Sequence, residues 1–547
     1  MSAIIQPAYR RMRTVQGLVL IVLMALALVL AAFTDGTWHG SIAPLQIVLA
    51  LAGIGLYASI WALTRRSIPT LLPETAPVAA ATPEIDTALP VFYASQTGTA
   101  EMYARQCAQA MTDQGLAARA EPLEALTPER LRGLGRALFI ASTTDDGNAP
   151  YPVSAFVRQV MGTSLPLPNL HYGLLALGDS YYDTFCGFGR DLDAWLQAQG
   201  AQALFPRIEV DDNDPAALDA WREQLAQLAG TDMQDSWQAQ AFLPWRLQQR
   251  VELNPSSLGE PTFLLQLVPE GDQALHWEAG DIAEIRPRHG SATLDRWLAV
   301  SGLDGEQLIP GPSGSTSLRE HLAWSELPEP ESLRGKNATQ LAEALVELRH
   351  RDYSIASLPG DGCIELLVRQ GRRSDGSLSL GAAWLTRDAE IGARIDLRLR
   401  SNANFRAPDD ASPLILIGNG TGLAGLRALL RQRIAQGRLR NWLIFGERQQ
   451  ACDFYYREEL EAMLAKRQLA YLDLAFSRDG PQRVYVQDRL LEQAERVRDW
   501  VSAGATLCVC GSQDGMAAGV DTSLRQILGD EAMQALTESG RYRRDVY

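Results

Sequence analysis

Four loops carry residue types able to hold phosphate. The first, Ser95-Gln96-Thr97-Gly98-Thr99-Ala100-Glu101, sets hydroxyls and free backbone amides at the start of a helix-forming stretch. That combination cradles a phosphate without a lysine, although the loop alone reads equally well as a Ser/Thr-rich helix cap. Two more loops, Ser142-Thr143-Thr144-Asp145-Asp146-Gly147-Asn148 and Gly178-Asp179-Ser180-Tyr181-Tyr182-Asp183, close successive apolar runs. The carboxyl ends of successive strands are where an open parallel sheet binds its ligand. The fourth, Gly418-Asn419-Gly420-Thr421-Gly422-Leu423-Ala424-Gly425, follows an apolar run and opens a helical stretch, the context in which GxGxxG points to a dinucleotide. Cys508 and Cys510 are two apart in a strand-like run, so their thiols face opposite sides and a shared metal is disfavoured. No metal site is expected.

The elements that must position these loops follow from the apolar pattern. Runs at 91–94, 137–141 and 174–177 alternate with helical stretches, the rhythm of a parallel sheet with crossover helices. Between residues 244 and 400 the period changes to two. Ile395, Leu397 and Leu399 alternate with Asp396, Arg398 and Arg400, and the expected structure is an antiparallel barrel with separated apolar and charged faces. After Pro413 the parallel rhythm returns, with strands expected at 414–417, 442–445, 472–476 and 507–509.

The amino-terminal region differs in kind. Residues 14–34 and 41–63 carry no charge, and each is long enough to cross roughly 30 Å of hydrocarbon. Arg10, Arg11 and Arg13 precede the first and Arg65 and Arg66 follow the second, while the loop between has only Asp35. The positive-inside rule then puts both ends in the cytoplasm. The expectation is a plain two-span anchor, a multi-pass location in the inner membrane, and the lipid bilayer as a partner. A Pro/Ala/Thr-rich stretch suits an extended tether. The expected units are an anchor at 1–66, a linker at 67–88, a doubly wound domain at 89–230, a barrel domain at 240–410 with a short insert at 288–350, and a third domain at 411–547.

Composition agrees with several folded units, since 547 residues exceed what one core organises. Fifty basic against 65 acidic residues, net −15, with 46% apolar residues, exclude a disordered chain and argue against nucleic-acid binding. Six scattered cysteines fit neither a disulfide framework nor a cluster site, and the folded part is expected to be thiol-reduced.

With the motifs in this order, residues 89–547 resemble the diflavin reductase family. The first loop resembles that family's FMN phosphate loop, which implies FMN contacts at Ser95, Gln96, Thr97, Gly98 and Thr99. The next two imply contacts at Ser142, Thr143 and Gly178, with Tyr182 stacked on the flavin ring. Thr144 stands where an aromatic shield is usual. Arg351-Asp352-Tyr353-Ser354 resembles the RxYS motif: an arginine can neutralise pyrophosphate, a tyrosine can cover a flavin ring, and a serine can hydrogen-bond near its reactive nitrogen. The companion FAD loop falls at Gly381, Ala382 and Ala383, where the usual Ser/Thr is missing and backbone amides must serve. The fourth loop resembles GxGTGxAPFR, with Asn419 and Gly425 replacing prolines, and implies NADPH contacts at Gly418, Gly420, Thr421 and Gly422. Ser477, Arg478, Arg483, Tyr485 and Gln487 resemble NADPH-selecting residues, as a 2′-phosphate needs cations and hydroxyls. By the same resemblance Cys510 lies beside the nicotinamide, Tyr547 covers the FAD ring, and Asp545 joins Ser354 and Cys510 where hydride is transferred.

The family implies the cofactors FMN, FAD and NADPH, and electrons passing through FAD and FMN to a one-electron acceptor. That acceptor is a haem protein, a sulfite-reducing haemoprotein or a ferric chelate, with a basic docking face drawn to Asp145, Asp146, Asp179 and Asp183. A single-flavin FAD enzyme, or a tethered flavin-binding scaffold without turnover, is the alternative.

Overall fold

The computed structural model describes residues 88–547, except 145–146, 181–182, 213, 231–240, 272–275, 312–313, 334 and 374–375. The expected spans at 14–34 and 41–63 and the linker up to residue 87 lie outside the described residues. The expectation of a multi-pass inner-membrane location, with the bilayer as partner, does not stand: no helix among the described residues is long and apolar enough to cross a membrane. The longest of them, Thr99–Asp113 and Pro215–Ala229, have 15 residues against the roughly 20 apolar ones a span requires.

The first sheet contains β1 (Leu89–Ala94), β2 (Ala118–Pro122), β3 (Arg136–Ser142), β4 (His171–Gly178), β5 (Gln202–Ala203) and β6 (Ile208–Asp211). All pairings are parallel, in the order β2-β1-β3-β4-β5, with β6 also beside β4. Both faces are covered, which explains the near-continuous apolar runs of β1, β3 and β4. Tyr103, Cys107 and Met111, spaced i, i+4, i+8 on helix Thr99–Asp113, pack on Val91, Leu138 and Ile140. Phe188, Leu192 and Leu196 of helix Gly187–Ala198 meet Phe92, Phe139 and Leu174 on the other face. The strand order reverses between β1 and β3, which opens a crevice at their carboxyl ends.

The barrel is built from β7 (Leu243–Glu252), β8 (Thr262–Pro269), β9 (Ile282–Ile285), β12 (Arg351–Ser354), β13 (Ile364–Arg369) and β14 (Arg394–Arg400). Between β9 and β12 the described residues of an insert fold as three α-helices, a 3₁₀ turn and a hairpin, β10 (Leu308–Gly311) with β11 (Gly314–Ser317), over a core of Leu294, Leu298, Leu318 and Leu341. The antiparallel order is β12-β9-β14-β7-β8-β13, and a bridge between Ile355 and Leu366 joins the two edges. Ile395 and Leu397 are fully buried as the alternation requires. Arg400 departs from it, being only 3% exposed. Glu284, Asp352 and the Thr97 carbonyl surround its guanidinium, so the charged face is not wholly solvated.

The third sheet, β15 (Leu414–Asn419), β16 (Asn441–Glu447), β17 (Tyr471–Phe476), β18 (Thr506–Gly511) and β19 (Tyr542–Val546), is parallel in the order β17-β16-β15-β18-β19. Helix Leu423–Ala435 is buried nearly all round, because Leu423, Leu426 and Leu430 share one core with Ala356, Leu367 and Phe405 of the barrel region. This shared core brings β12 against the carboxyl end of β18.

Candidate functional site

At the end of β1 the Gly98 N–H donates to Ser95 Oγ at 3.0 Å. Gly98 has φ +92°, and a side chain there would collide with the Ser401 carbonyl, so the loop must carry glycine at this point. Helix Thr99–Asp113 starts directly after it, leaving its first amides without intrahelical acceptors. The loops after β3 and β4 complete a cavity of about 880 Å³, lined by Gln96, Thr97, Thr99, Ser142, Thr143 and Gly178. Thr143 Oγ1 is buried there without a hydrogen-bond partner. An open cavity, a helix amino terminus and an unmatched hydroxyl together fit a phosphate-bearing ligand such as FMN. Tyr182, Asp145 and Asp146 lie outside the described residues.

Gln96 is engaged elsewhere. Its Nε2 donates to the Arg544 carbonyl at 3.1 Å and its Oε1 accepts the Tyr151 N–H at 2.9 Å, so this side chain ties the loop to β19. From the barrel region, Arg400 donates to the Thr97 carbonyl, and Asn404 Nδ2 donates to the carbonyls of Ser95 and Gln96 at 2.8 and 3.2 Å. The far wall of the cavity is formed by Arg349, His350, Arg351 and Asp352.

In the barrel, a Cβ on Gly381 would lie 2.8 Å from Tyr353 Oη and 2.9 Å from Arg351 Cγ. The companion loop thus abuts the RxYS strand with no space for a side chain. Helix Leu380–Ala383 begins after Ser379, whose hydroxyl makes no cap bond, and Ala382 and Ala383 are buried. Ser379 therefore brings a hydroxyl to a loop read as lacking one. Trp384 Nε1, just beyond, is buried without a partner. The glycine-lined approach and the available helix amides fit the phosphate end of FAD.

β12, β18 and β19 converge on one point. Ser354 Oγ donates to Asp545 Oδ2 at 2.8 Å, and Cys510 Sγ lies 3.6 Å from the same oxygen. The register pairs Cys510 with Asp545 across the two parallel strands. Asp545 is only 4% exposed, and burial raises its carboxyl pKa against the pull of Ser354, Cys510 and Arg400. Burial and the Asp545 charge push the Cys510 thiol well above its ordinary value, so its proton stays on sulfur. Tyr547 lies at the rim: its N–H donates to the Gly511 carbonyl at 3.0 Å and its hydroxyl is 3.2 Å from Thr421 Oγ1, with the residue 56% exposed.

The nucleotide loop is pressed onto the same strand end. Side chains at Gly418 or Gly422 would strike the Cys510 carbonyl. Gly420, at φ +57°, has Arg369 NH2 2.8 Å from where a Cβ would stand, and Arg369 is itself paired with Glu447. Further out, hydrogen bonds from Arg478 and Arg483 lower the pKa of the Tyr485 phenol, so these three side chains form one cluster. Ser477 Oγ donates to the Glu447 carbonyl at 3.3 Å. Gln487 packs on Gly519, and its Oε1 is buried without a partner.

Arg369, Arg400, Asn404 and His350 were not legible as site residues, since each reaches the site from a distant strand or loop. Glu284, His350 and Asp352 present ligand atoms within 4.8 Å of one another. Arg398 and Arg400 already bind Glu284, and Arg400 also binds Asp352, so the group is an ion-pair network in which a metal ion would face two guanidiniums.

Comparison with known proteins gives two family matches, "Flavodoxin" over residues 91–224 and "Oxidoreductase NAD-binding domain" over residues 416–522. A sulfite reductase NADPH flavoprotein alpha-component of Vibrio cholerae is 30% identical over 541 residues, covering 84% of this chain and 87% of the relative. Proteins of the same description from Shewanella sp. (strain MR-7) and Photobacterium profundum are each 28% identical, covering 88% and 84% of this chain and 92% and 89% of their own.

Proposed function

The chain belongs to the family of sulfite reductase NADPH flavoprotein alpha-components, and from that premise we propose that it feeds single electrons to a haem-containing acceptor, a sulfite-reducing haemoprotein foremost. It is an NADPH-dependent flavoprotein oxidoreductase of the diflavin type, with FMN and FAD as cofactors. When bound, the two flavins supply the conversion of two-electron chemistry with NADPH into one-electron delivery.

The observation that carries the reading is the meeting of Ser354, Cys510 and Asp545 beside Tyr547, in a body whose barrel also walls the cavity of the flavodoxin-like domain. Arg478, Arg483 and Tyr485, with Ser477 and Gln487, hold the 2′-phosphate of NADPH. The amides of Gly418, Gly420, Thr421 and Gly422 take the pyrophosphate, with Arg369 neutralising it from the barrel side. Tyr547 covers the reacting face and moves aside for the nicotinamide. Asp545 fixes the Ser354 hydroxyl, and Cys510 shapes the nicotinamide side of the pocket. Arg351, Tyr353 and the amides at Gly381, Ala382 and Ala383 hold FAD, with Ser354 beside its ring. Thr97, Thr99, Ser142, Thr143 and Gly178, with the backbone of Ser95, Gln96 and Gly98 and the Tyr182 ring, hold FMN.

A haem partner with a basic rim suits the acidic residues of the FMN loops, Asp145, Asp146, Asp179 and Asp183, and the relatives' description as an alpha-component of sulfite reductase favours a sulfite-reducing haemoprotein over a ferric chelate. Extraction of purified protein should yield FMN and FAD in equal amounts, and anaerobic NADPH should bleach both. Bleaching of FAD alone would leave a single-flavin oxidoreductase, and no bleaching would leave a flavin-binding scaffold. Stopped-flow reduction of the haemoprotein should slow as salt rises; a rate independent of ionic strength would refute the electrostatic docking.

A further inference from the structure

Helix Leu423–Ala435 carries to the barrel two arginines that the nucleotide and flavin contacts do not use, Arg427 and Arg431. Arg427 is only 8% exposed. One of its terminal nitrogens donates to the Ala356 carbonyl at 2.8 Å and to a Glu365 carboxylate oxygen at 2.7 Å, and its Nε donates to Glu459 at 2.9 Å. The guanidinium also lies 4.0 Å from the centre of the Tyr456 ring. Ala356 and Glu365 stand where the barrel closes: the Ala356 N–H donates to the Glu365 carbonyl at 2.8 Å, beside the bridge between Ile355 and Leu366. Gln266 Nε2 holds the other Glu365 carboxylate oxygen at 3.0 Å. Arg431, one turn further along, makes a two-pronged pair with Asp361 at 2.6 and 2.8 Å, with both side chains about a quarter exposed.

The same helix reaches the point where Ser354, Cys510 and Asp545 meet. A Cβ on Gly425 would lie 3.5 Å from both Ser354 Cβ and Cys510 Sγ. Ser354 is carried by the barrel and Cys510 by the third sheet, so the first turn of this helix touches side chains from two different bodies. Arg427 is two residues past Gly425, and Ala356 is two residues past Ser354. The contact at the site and the grip on the barrel therefore run side by side along the two chains.

We propose that Arg427 is a positioning residue for hydride transfer, which holds Ala356 and Glu365 together and thereby fixes Ser354 relative to Cys510 and Asp545. The inference rests on the reading of those three residues as the hydride-transfer site. Burial and the choice of acceptors set Arg427 apart from an ordinary ion pair between domains. A main-chain carbonyl fixes backbone, where a carboxylate alone would fix only the tip of a side chain. The planar fork meets acceptors on three different segments while the Tyr456 ring covers its face, which a lysine, a point charge, does not reproduce. Apart from Arg369, the residues assigned to the nucleotide lie in the same domain as Arg427. Loss of the grip therefore disturbs the geometry of transfer and leaves nucleotide binding largely as it was.

The test compares Arg427→Met, Arg427→Lys and Arg431→Met in the full flavin-loaded chain. Three measurements are made: anaerobic stopped-flow bleaching by NADPH and by NADPH deuterated at the transferred hydrogen, calorimetric titration with NADP+, and amide hydrogen exchange without nucleotide. Arg427→Met should lower the limiting rate of bleaching about 10- to 100-fold, the cost of misplacing reacting groups by about 1 Å. Its deuterium isotope effect should grow, and its Kd for NADP+ should stay within about a factor of two of the parent's. Arg427→Lys should fall between parent and Arg427→Met; it keeps the buried charge and decides the matter if the methionine variant does not fold. Exchange at residues 354–357 should quicken about three- to tenfold in Arg427→Met, the worth of one hydrogen bond. Arg431→Met, which loses an ion pair from the same helix to the barrel, should match the parent in exchange at 354–357 and bleach within about a factor of two of its rate. Equal slowing by Arg431→Met, weaker NADP+ binding with the parent's limiting rate, or unchanged exchange at 354–357 in both Arg427 variants overturns the proposal. Failure of NADPH to bleach the parent protein would instead overturn the hydride-transfer reading, and the exchange result would still decide whether Arg427 holds this segment.

Discussion

Asp545→Asn separates what the site needs for chemistry from what it costs in stability. The carboxylate accepts the Ser354 hydroxyl at 2.8 Å, with the Cys510 sulfur at a longer 3.6 Å. The isosteric amide keeps the shape but loses the charge-assisted bond to Ser354, worth about 1.5–3 kcal/mol. At about 1.4 kcal/mol per decade, NADPH-driven flavin bleaching should slow about 10- to 100-fold. Stability should move the other way. Burial raises the Asp545 carboxyl pKa, so the native state holds its proton more tightly than the unfolded one, and stability falls as pH rises from the ordinary aspartate value through the raised one. Above that window the parent protein carries an ionised, almost fully buried carboxylate and the variant does not. Its domain should melt about 2–4 °C higher, equivalent to about 1 kcal/mol, and the gain should vanish in acid. The assay pairs anaerobic stopped-flow absorbance with thermal melts at neutral and acid pH. Bleaching within about a factor of two of the parent rate, or a melting point lowered at neutral pH, would refute the assignment of Asp545 as the charged centre of the site.

Gly422→Ala should cost about 1–3 kcal/mol through overpacking against the Cys510 carbonyl and should raise the KM for NADPH while leaving the flavin content intact; a normal KM would count against the loop. Arg478→Ala removes one cation of the Tyr485 cluster, and the preference for NADPH over NADH should fall about 10- to 100-fold. Kinetics with both nucleotides decide this, and an unchanged ratio would remove Arg478 from the phosphate site. Tyr547→Ala frees the face now covered by the ring hydrogen-bonded to Thr421. NADH should then be used about tenfold more readily, because the nucleotide no longer has to displace the ring, and unchanged NADH kinetics would argue against a gate.

The parts legible in the sequence are those whose chemistry is local. Ser95 to Thr99 and Gly418 to Gly422 each combine strand, turn and helix start in a few residues, so hydroxyl, glycine and apolar patterns suffice to read them. β19 escaped reading as a strand because Tyr-Arg-Arg-Asp-Val has no apolar alternation; pairing with β18 supplies the order that composition does not. The β10–β11 hairpin likewise lacks an apolar alternation, its strands being Leu-Ile-Pro-Gly and Gly-Ser-Thr-Ser. Period two puts Arg400 on the charged face of its strand, but it does not say that a buried acid and a carbonyl from another domain wait on that face. Arg349, paired with Asp179 and Asp211, and Arg369, paired with Glu447, join residues across sequence separations that no local pattern encodes. The amino-terminal apolar stretches show the converse, where a strong local pattern led to a location the described helices do not support.

The Arg400 guanidinium has a thermodynamic consequence as a bridge between folding units. It satisfies Glu284 and Asp352 within the barrel and the Thr97 carbonyl in the neighbouring domain. Melting the flavodoxin-like domain alone would strip a buried cation of one acceptor, and melting the barrel alone would leave the Thr97 carbonyl without its donor, each at the cost of an unsatisfied buried group. The two domains are thereby coupled in unfolding, and a substitution in one can lower the apparent melting temperature of the other without touching it. Because the cation is buried, this coupling should persist at salt concentrations that weaken the partly exposed ion pairs of Arg349 with Asp179, Asp211 and Asp212.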